Sequence, residues 1–140
     1  MNKIESGEKL DFHNVLIRPK RSTLNSRSEV DLKREFKFKY SSKKWKGIPI
    51  IAANMDSTGT FEVYNCLKNY NIITAMNKFY TLEDYQNCDR AYCGLDPNYF
   101  MVSTGISDKD FEKLKKILNR FECNWICIDI ANGYISVSYT

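Results

Sequence analysis

The sequence predicts an α/β fold in which four parallel strands alternate with three helices. Four short apolar runs have the length of strands, and polar or helically periodic stretches separate them. Strands that alternate with helices are typical of βαβ units, which form parallel sheets. The runs are continuously apolar, so we expect the strands to be covered on both faces. The predicted strands are residues 48–55, 72–76, 100–104 and 125–130.

Each predicted helix begins at a residue that can cap it. Hydroxyl side chains accept hydrogen bonds from the first backbone amides of a helix, and they occur here at residues 58–60, Thr81 and Ser107. The third helix, residues 108–121, has apolar residues at helical spacing, which predicts one buried stripe. The members of that stripe are Phe111, Leu114, Ile117 and Leu118.

The chain divides by pattern into three parts. Residues 1–46 form an N-terminal extension with a short predicted strand, because Phe36, Phe38 and Tyr40 alternate with charged residues. Residues 47–134 hold the repeating units, and residues 135–140 form a tail with little helical character. Four units leave two open sheet edges, so we expect this sheet to be the first half of a larger fold.

Composition narrows the class of protein. The 140 residues are 43% hydrophobic, enough for one globular core, and the net charge is +4. The absence of an apolar run of membrane-spanning length and of a signal peptide predicts a cytoplasmic protein with no membrane partner. Basic residues cluster at 18–21 and 33–46 without the regular aromatic interleaving of a nucleic-acid surface. We therefore expect no nucleic-acid partner.

The sequence predicts neither disulfides nor a metal site. The five cysteines are an odd number, and none forms a C-x-x-C pair. They are Cys66, Cys88, Cys93, Cys123 and Cys127. The single histidine, His13, lies far from them in sequence, so zinc ligation is not expected. His13 is interpreted as a surface residue rather than a catalyst.

Polar residues follow all four predicted strands, where a parallel α/β fold of this kind places its active site. Lys78 follows the second strand and Asp129 ends the fourth. Lys78 can bind an anion or assist proton transfer, or it can reach into solvent. Asp129 can accept hydrogen bonds from a ligand, or it can serve a turn. The same alternatives hold for Asp56, where the turn role is favoured, and no G-x-G-x-x-G or P-loop motif occurs.

Several long motifs resemble one enzyme family. They are LDFHNVLIRPKRSTLNSRSEVDL at residues 10–32, GIPIIAANMDSTG at 47–59 and CIDIANGY at 127–134. Together with residues 78–80 and 102–105, they resemble the N-terminal part of the GMP reductases, of the IMP dehydrogenase/GMP reductase family. The resemblance implies a (β/α)8 TIM barrel, of which this chain holds the first four strands and three helices, and a homotetramer.

The resemblance also implies an activity and a cofactor. The family converts GMP to IMP and ammonia with NADPH, through a cysteine that attacks the purine ring, and it uses a monovalent cation. Ser26 and Arg27 match residues that contact NADP across a subunit boundary. Lys78 and the segment Asp129, Ile130 and Ala131 match contacts on the nicotinamide side, and Met55 matches a position beneath the purine.

Two departures from the family pattern limit the expected chemistry. The nucleophilic cysteine and the cation loop follow the sixth strand of the family fold, and none of the five cysteines here matches the nucleophile. The expected set of catalytic residues in this chain is therefore empty. Asn77 stands where the family commonly has a histidine. Two hypotheses follow: a truncated GMP reductase, or a non-enzymatic fragment that associates with full-length chains. A third, which the charge pattern disfavours, is nucleic-acid binding through the basic N-terminal residues.

Overall fold

The structure, a computed structural model, describes residues 7–92 and 94–133 and has two units. The first unit ends at Asp31 and the second begins at Leu32. The first contains two short 3-10 turns, Phe12–Asn14 and Arg27–Glu29, which Asp11 and Ser26 cap. The predicted tail, residues 135–140, and Cys93 lie outside the described residues.

A β-hairpin opens the second unit. Strand β1 (Arg34–Lys37) pairs antiparallel with β2 (Lys44–Gly47), and Phe36 lies opposite Trp45. The alternation of aromatic and charged residues correctly indicated a strand at Phe36. The strand ends at Lys37, however, so the predicted continuation to Tyr40 is wrong.

The predicted alternation of strands and helices is confirmed. Four parallel strands lie side by side in chain order, and helices connect them. The strands are β3 (Ile51–Ala52), β4 (Ile73–Ala75), β5 (Phe100–Thr104) and β6 (Ile126–Ile128). The helices are α1 (Phe61–Leu67), α2 (Leu82–Tyr92) and α3 (Asp108–Arg120), and a 3-10 turn, Lys68–Tyr70, extends α1. This partial α/β arrangement is compatible with part of a barrel.

The first strand is much shorter than its apolar run. The sequence predicted a strand over residues 48–55, but only Ile51 and Ala52 pair with β4. The amide of Ile50 donates to the carbonyl of Ile48 at 2.7 Å, so the chain turns around Pro49. A turn of this kind takes residues 48–50 out of the ladder.

The helices begin where capping residues predicted them. Thr60 accepts from the amide of Val63 at 3.2 Å and caps α1. The amide and hydroxyl of Thr81 donate to Asp84 at 2.7 Å before α2. Ser107 and Asp110 form a reciprocal capping box at α3. Among the described residues, none of the helices has the length and apolar character that a membrane span requires.

The core lies between the sheet and the three helices. Phe100 and Val102 of β5 pack there against buried aromatic and aliphatic side chains of the helices. These are Phe61, Tyr64, Tyr85, Leu114 and Ile117. Phe111 is 54% exposed, so its predicted burial is wrong. Successive helix residues are about 100° apart, so Phe111 lies on nearly the opposite side of α3 from Lys113. Lys113 contacts the loop before α2.

The hairpin lies at the amino-terminal ends of β5 and β6. The indole N–H groups of Trp45 and Trp125 both donate to the carbonyl of Asn98, each at 3.1 Å. Asn98 precedes β5 and Trp125 precedes β6, and the two indole rings meet edge to face at 6.2 Å. The hairpin therefore packs on the segments that lead into β5 and β6.

Candidate functional site

The loops after the strands lie close together at the carboxyl-terminal end of the sheet. The amide of Asn77, after β4, donates to the carbonyl of Gly59, before α1, at 2.8 Å. Gly59 is buried, and a Cβ there would lie 2.6 Å from the carbonyl oxygen of Ala75. The loop after β3 therefore packs against the end of β4 because glycine permits a close approach. The amide of Asp129 donates to Thr104 at 2.8 Å, which joins β6 to β5.

Lys78 and Asp129, which the sequence singled out separately, form an ion pair. The Lys78 Nζ lies 3.2 Å from Asp129 Oδ2, and the two side chains are 37% and 39% exposed. A half-exposed pair of this kind contributes little to stability. Both groups keep hydrogen-bonding capacity toward a ligand, because neither is fully enclosed by protein.

Asp56 and Asn77 make a second contact between loops. Asn77 Nδ2 donates to Asp56 Oδ1 at 2.6 Å, and Asn77 Oδ1 accepts from the amide of Phe79 at 2.9 Å. The side chain of Asn77 thus ties the loop after β3 to the loop that carries Lys78. Sequence reasoning favoured a turn role for Asp56 and did not find this contact, which joins residues 21 positions apart.

The other matched residues of the second unit lie at the same end of the strands. Met55 is exposed, and its carbonyl accepts from the amides of Thr58 and Gly59 at 3.0 and 2.7 Å. Ile130 is half-buried and Ala131 is exposed, directly after Asp129. Their roles toward a ligand stay predictions.

Ser26, Arg27 and His13 lie in the first unit. Ser26 caps the turn Arg27–Glu29, where its hydroxyl oxygen accepts from the amide of Ser28 at 3.3 Å. Arg27 is exposed, which is compatible with contact to an anionic group. His13 is exposed and lies 3.5 Å from Asp11.

Two of the described cysteines, Cys88 and Cys123, have raised pKa values. Burial raises the pKa of the buried Cys88 to about 11, and burial also raises the pKa of the half-buried Cys123. A raised pKa disfavours the reactive thiolate. Cys66 is exposed and Cys127 is half-buried. In the described part of the chain, His, Cys, Asp and Glu form no group of three that could hold a metal ion.

Lys113 is a residue of this region that sequence reasoning missed. It lies on α3, and its Nζ donates to the backbone carbonyl of Lys78. The two residues are 35 positions apart, so no local pattern could have indicated the contact.

Comparisons with known proteins point to one enzyme. No family model matches the chain, but many curated relatives do. GMP reductase of Citrobacter koseri is 52% identical over 133 residues. The GMP reductases of Escherichia coli O81 and Shigella boydii serotype 18 are each 51% identical over the same length.

The match covers nearly all of this chain but a smaller part of its relatives. It includes 94% of this chain and 38% of each of the three relatives. These proportions are consistent with a match between this chain and the N-terminal part of the relatives. Over almost its whole length, the chain is therefore similar to the GMP reductases.

Proposed function

We propose that this chain is part of a GMP reductase, which converts GMP to IMP and ammonia with NADPH, and that it carries part of the cofactor site. The ion pair between Lys78 and Asp129 is the observation that carries the proposal. It lies at the carboxyl-terminal end of a parallel sheet, where ligands bind in α/β proteins of this kind. The chain is also about half identical to proteins named GMP reductase.

The residues of the pair fit a nicotinamide group. The Asp129 carboxylate can accept a hydrogen bond from a carboxamide N–H, while the Lys78 ammonium can donate to an oxygen. Their mutual contact keeps both charged groups oriented at the strand ends. Ile130 and Ala131 extend this surface, and bound NADPH would supply the hydride.

The remaining positions are assigned by resemblance. Ser26 and Arg27 would contact the phosphates of NADPH across a subunit boundary of a homotetramer, a role that suits the planar fork of arginine. Met55 would lie beneath the purine of GMP. The proposed setting is the cytoplasm.

We do not expect this chain to carry out the covalent step of the reaction. By resemblance, none of the five cysteines matches the family's nucleophile, and the raised pKa values of Cys88 and Cys123 disfavour those two as substitutes. A second candidate function is therefore a non-enzymatic fragment that associates with full-length chains. The exposed isoleucines of β3 and β6 favour it, because exposed apolar strands template association.

Cofactor binding tests the proposed site. NADPH fluorescence would be titrated with the 140-residue chain and with its Lys78→Met and Asp129→Asn variants. Each variant removes a charged hydrogen-bonding group, so we expect affinity to fall on the order of tenfold. Lys116→Met, an exposed lysine on α3, is the matched control and should bind as the parent does. Equal affinity in all four proteins would remove Lys78 and Asp129 from the site.

Turnover separates the two candidate functions. NADPH absorbance would be followed with GMP present, and we expect no turnover by the 140-residue chain. Turnover that disappears when one of the five cysteines is changed to serine would contradict this expectation. Mixing with a full-length GMP reductase, followed by size separation, would test association directly.

A further inference from the structure

The backbone of Lys78 is held by a second lysine. Lys113, on the second turn of α3, donates from its Nζ to the Lys78 carbonyl oxygen, and this contact is partly buried. It is a contact between the helix that follows β5 and the loop that follows β4.

The amino-terminal end of α3 is itself firmly placed. Ser107 Oγ donates to Asp110 Oδ2 at 2.6 Å, and the amide of Asp110 donates back to Ser107 Oγ at 3.3 Å. Asp110 also packs directly on Gly105, where any Cβ would clash with its carboxylate. The cap therefore joins the end of β5 to the first turns of α3, from which Lys113 extends.

Lys78 is consequently held at both ends. Its ammonium group pairs with Asp129 after β6, and its carbonyl oxygen accepts from Lys113. The preceding amide, that of Asn77, is bonded to Gly59. These backbone bonds on both sides of Lys78 restrain its backbone, and with it the direction of the Cα–Cβ bond from which the side chain extends.

Charges of both signs lie around this contact. The hydrogen bonds between Asp110 and Ser107 are the main cause of the lowered pKa of Asp110. The nearby charges of Lys113 and Lys78 lower this pKa further. Two ammonium groups and the carboxylates of Asp110 and Asp129 thus share this end of the sheet. These carboxylates compensate the positive charge of Lys113 near Lys78.

We propose that Lys113 is a positioning residue for Lys78. By holding the Lys78 carbonyl, it keeps the Lys78 ammonium group in reach of Asp129 and of a ligand at the strand ends. The extension of this role to the cofactor rests on the proposed function, whereas the role toward Lys78 rests on the contacts alone.

The reactivity of the Lys78 amine tests the proposal without any cofactor. The 140-residue chain would be treated briefly with an amine-acylating reagent, and modification of Lys78 would be followed by peptide mass spectrometry. Removing the charged hydrogen bond from Lys113 should free the Lys78 side chain. Lys113→Met should therefore raise the rate of Lys78 acylation on the order of fivefold. Asp129→Asn should raise it similarly. Lys113→Arg, which keeps charged donors, should return it toward the parent rate.

Two comparisons keep the result interpretable. Lys116→Met removes an exposed lysine from the same helix and should leave the Lys78 rate unchanged. If Lys113→Met loses helical circular dichroism, Lys113→Gln, which keeps an N–H donor, takes its place and should give an intermediate rate. An unchanged Lys78 rate in a folded Lys113→Met chain would overturn the proposal.

NADPH affinity then separates this proposal from the proposed function. If both proposals hold, Lys113→Met weakens NADPH binding by about the same factor as it raises the rate of Lys78 acylation. Lys113→Arg then restores binding. If the parent chain binds no NADPH, the proposed function fails, while a faster Lys78 reaction in Lys113→Met still supports the positioning role.

Discussion

The central and the outer strands of the parallel sheet differ in how their side chains are covered. All three residues of β4 are buried, and Phe100 and Val102 of β5 are almost completely inaccessible. By contrast, Ile51 of β3 and Ile128 of β6 are more than half exposed. The four apolar runs look alike in sequence, so the prediction that every strand is covered on both faces is wrong for the outer pair.

The pairing register explains the difference on the β6 side. Ile126 pairs with Val102 and Ile128 with Thr104, so both isoleucines face the same side of the sheet as Val102. That side is covered at β5 by Leu114 and Ile117 of α3. Helix α3 covers β5 but leaves β6 exposed. Apolar content therefore selects the strand, while a neighbouring helix decides whether the strand is buried.

The largest expected effect is the difference in stability between an isoleucine-to-alanine substitution in central strand β4 and the same substitution in outer strand β6. Ile73 of β4 is 3% exposed and Ile128 of β6 is 63% exposed. Ile73→Ala leaves a cavity, so we expect the free energy of unfolding to fall by about 2–5 kcal/mol. Ile128→Ala should cost less than about 1 kcal/mol. Urea denaturation of both variants, at a concentration where the chain is monomeric, measures the difference, and equal losses would mean that β6 is covered within the monomer.

An intermediate effect concerns the exposed strand itself. We expect the 140-residue chain to self-associate through β6, because exposed apolar strands template pairing. Ile128→Lys should weaken this association on the order of tenfold, since burying an isoleucine contributes roughly 1.5–3 kcal/mol. Sedimentation velocity at several concentrations measures it.

Tyr70→Lys is the control for this association. Tyr70 is as exposed as Ile128 but lies at the end of the 3-10 turn after α1, away from β6. It should leave self-association unchanged. The role of β6 would be refuted by an equal effect of the two lysine substitutions.

The smallest expected effect lies at the cap of α3, the helix that covers β5. The capping bonds to Ser107 lower the pKa of Asp110 below its usual value. The ionised carboxylate therefore stabilises the fold at neutral pH, and this contribution disappears as the pH falls through the lowered pKa. Asp110→Asn should reduce stability at neutral pH by less than about 1 kcal/mol, and the deficit should vanish in acid.

Thermal unfolding between neutral and acidic pH measures that deficit. Asp108→Asn, at the same helix end but outside the capping box, is the matched control and should show a weaker pH dependence. If the deficit of Asp110→Asn persists at the lowest pH, its carboxylate charge is not what stabilises α3.

Local chemistry predicted much of the fold. The order of strands and helices and the capping residues Thr60, Thr81 and Ser107 follow from patterns within a few residues. The turn at Pro49 shortens β3, and the exposure of Phe111 depends on which elements lie beside α3. These two features were missed because they depend on neighbours that periodicity does not identify.

The candidate site divides in the same way. Lys78 and Asp129 could be singled out because each follows an apolar strand, and parallel strands bring such residues to one edge. The bond from Lys113 to Lys78 and the contact between Asp56 and Asn77 could not, because each joins separate loops or helices. The roles of Ser26, Arg27, Met55, Ile130 and Ala131 are predictions from resemblance.

By itself, the sequence determined the α/β alternation, the helix starts and the strand ends at which polar residues gather. Its long motifs also determined the similarity to the GMP reductases, because identities spread over 133 residues do not arise from composition. Only the tertiary structure decided which isoleucines are covered and which side chains hold Lys78. The reason is physical: burial and side-chain contacts are made between elements distant in the chain, whereas propensity and capping act within a single turn.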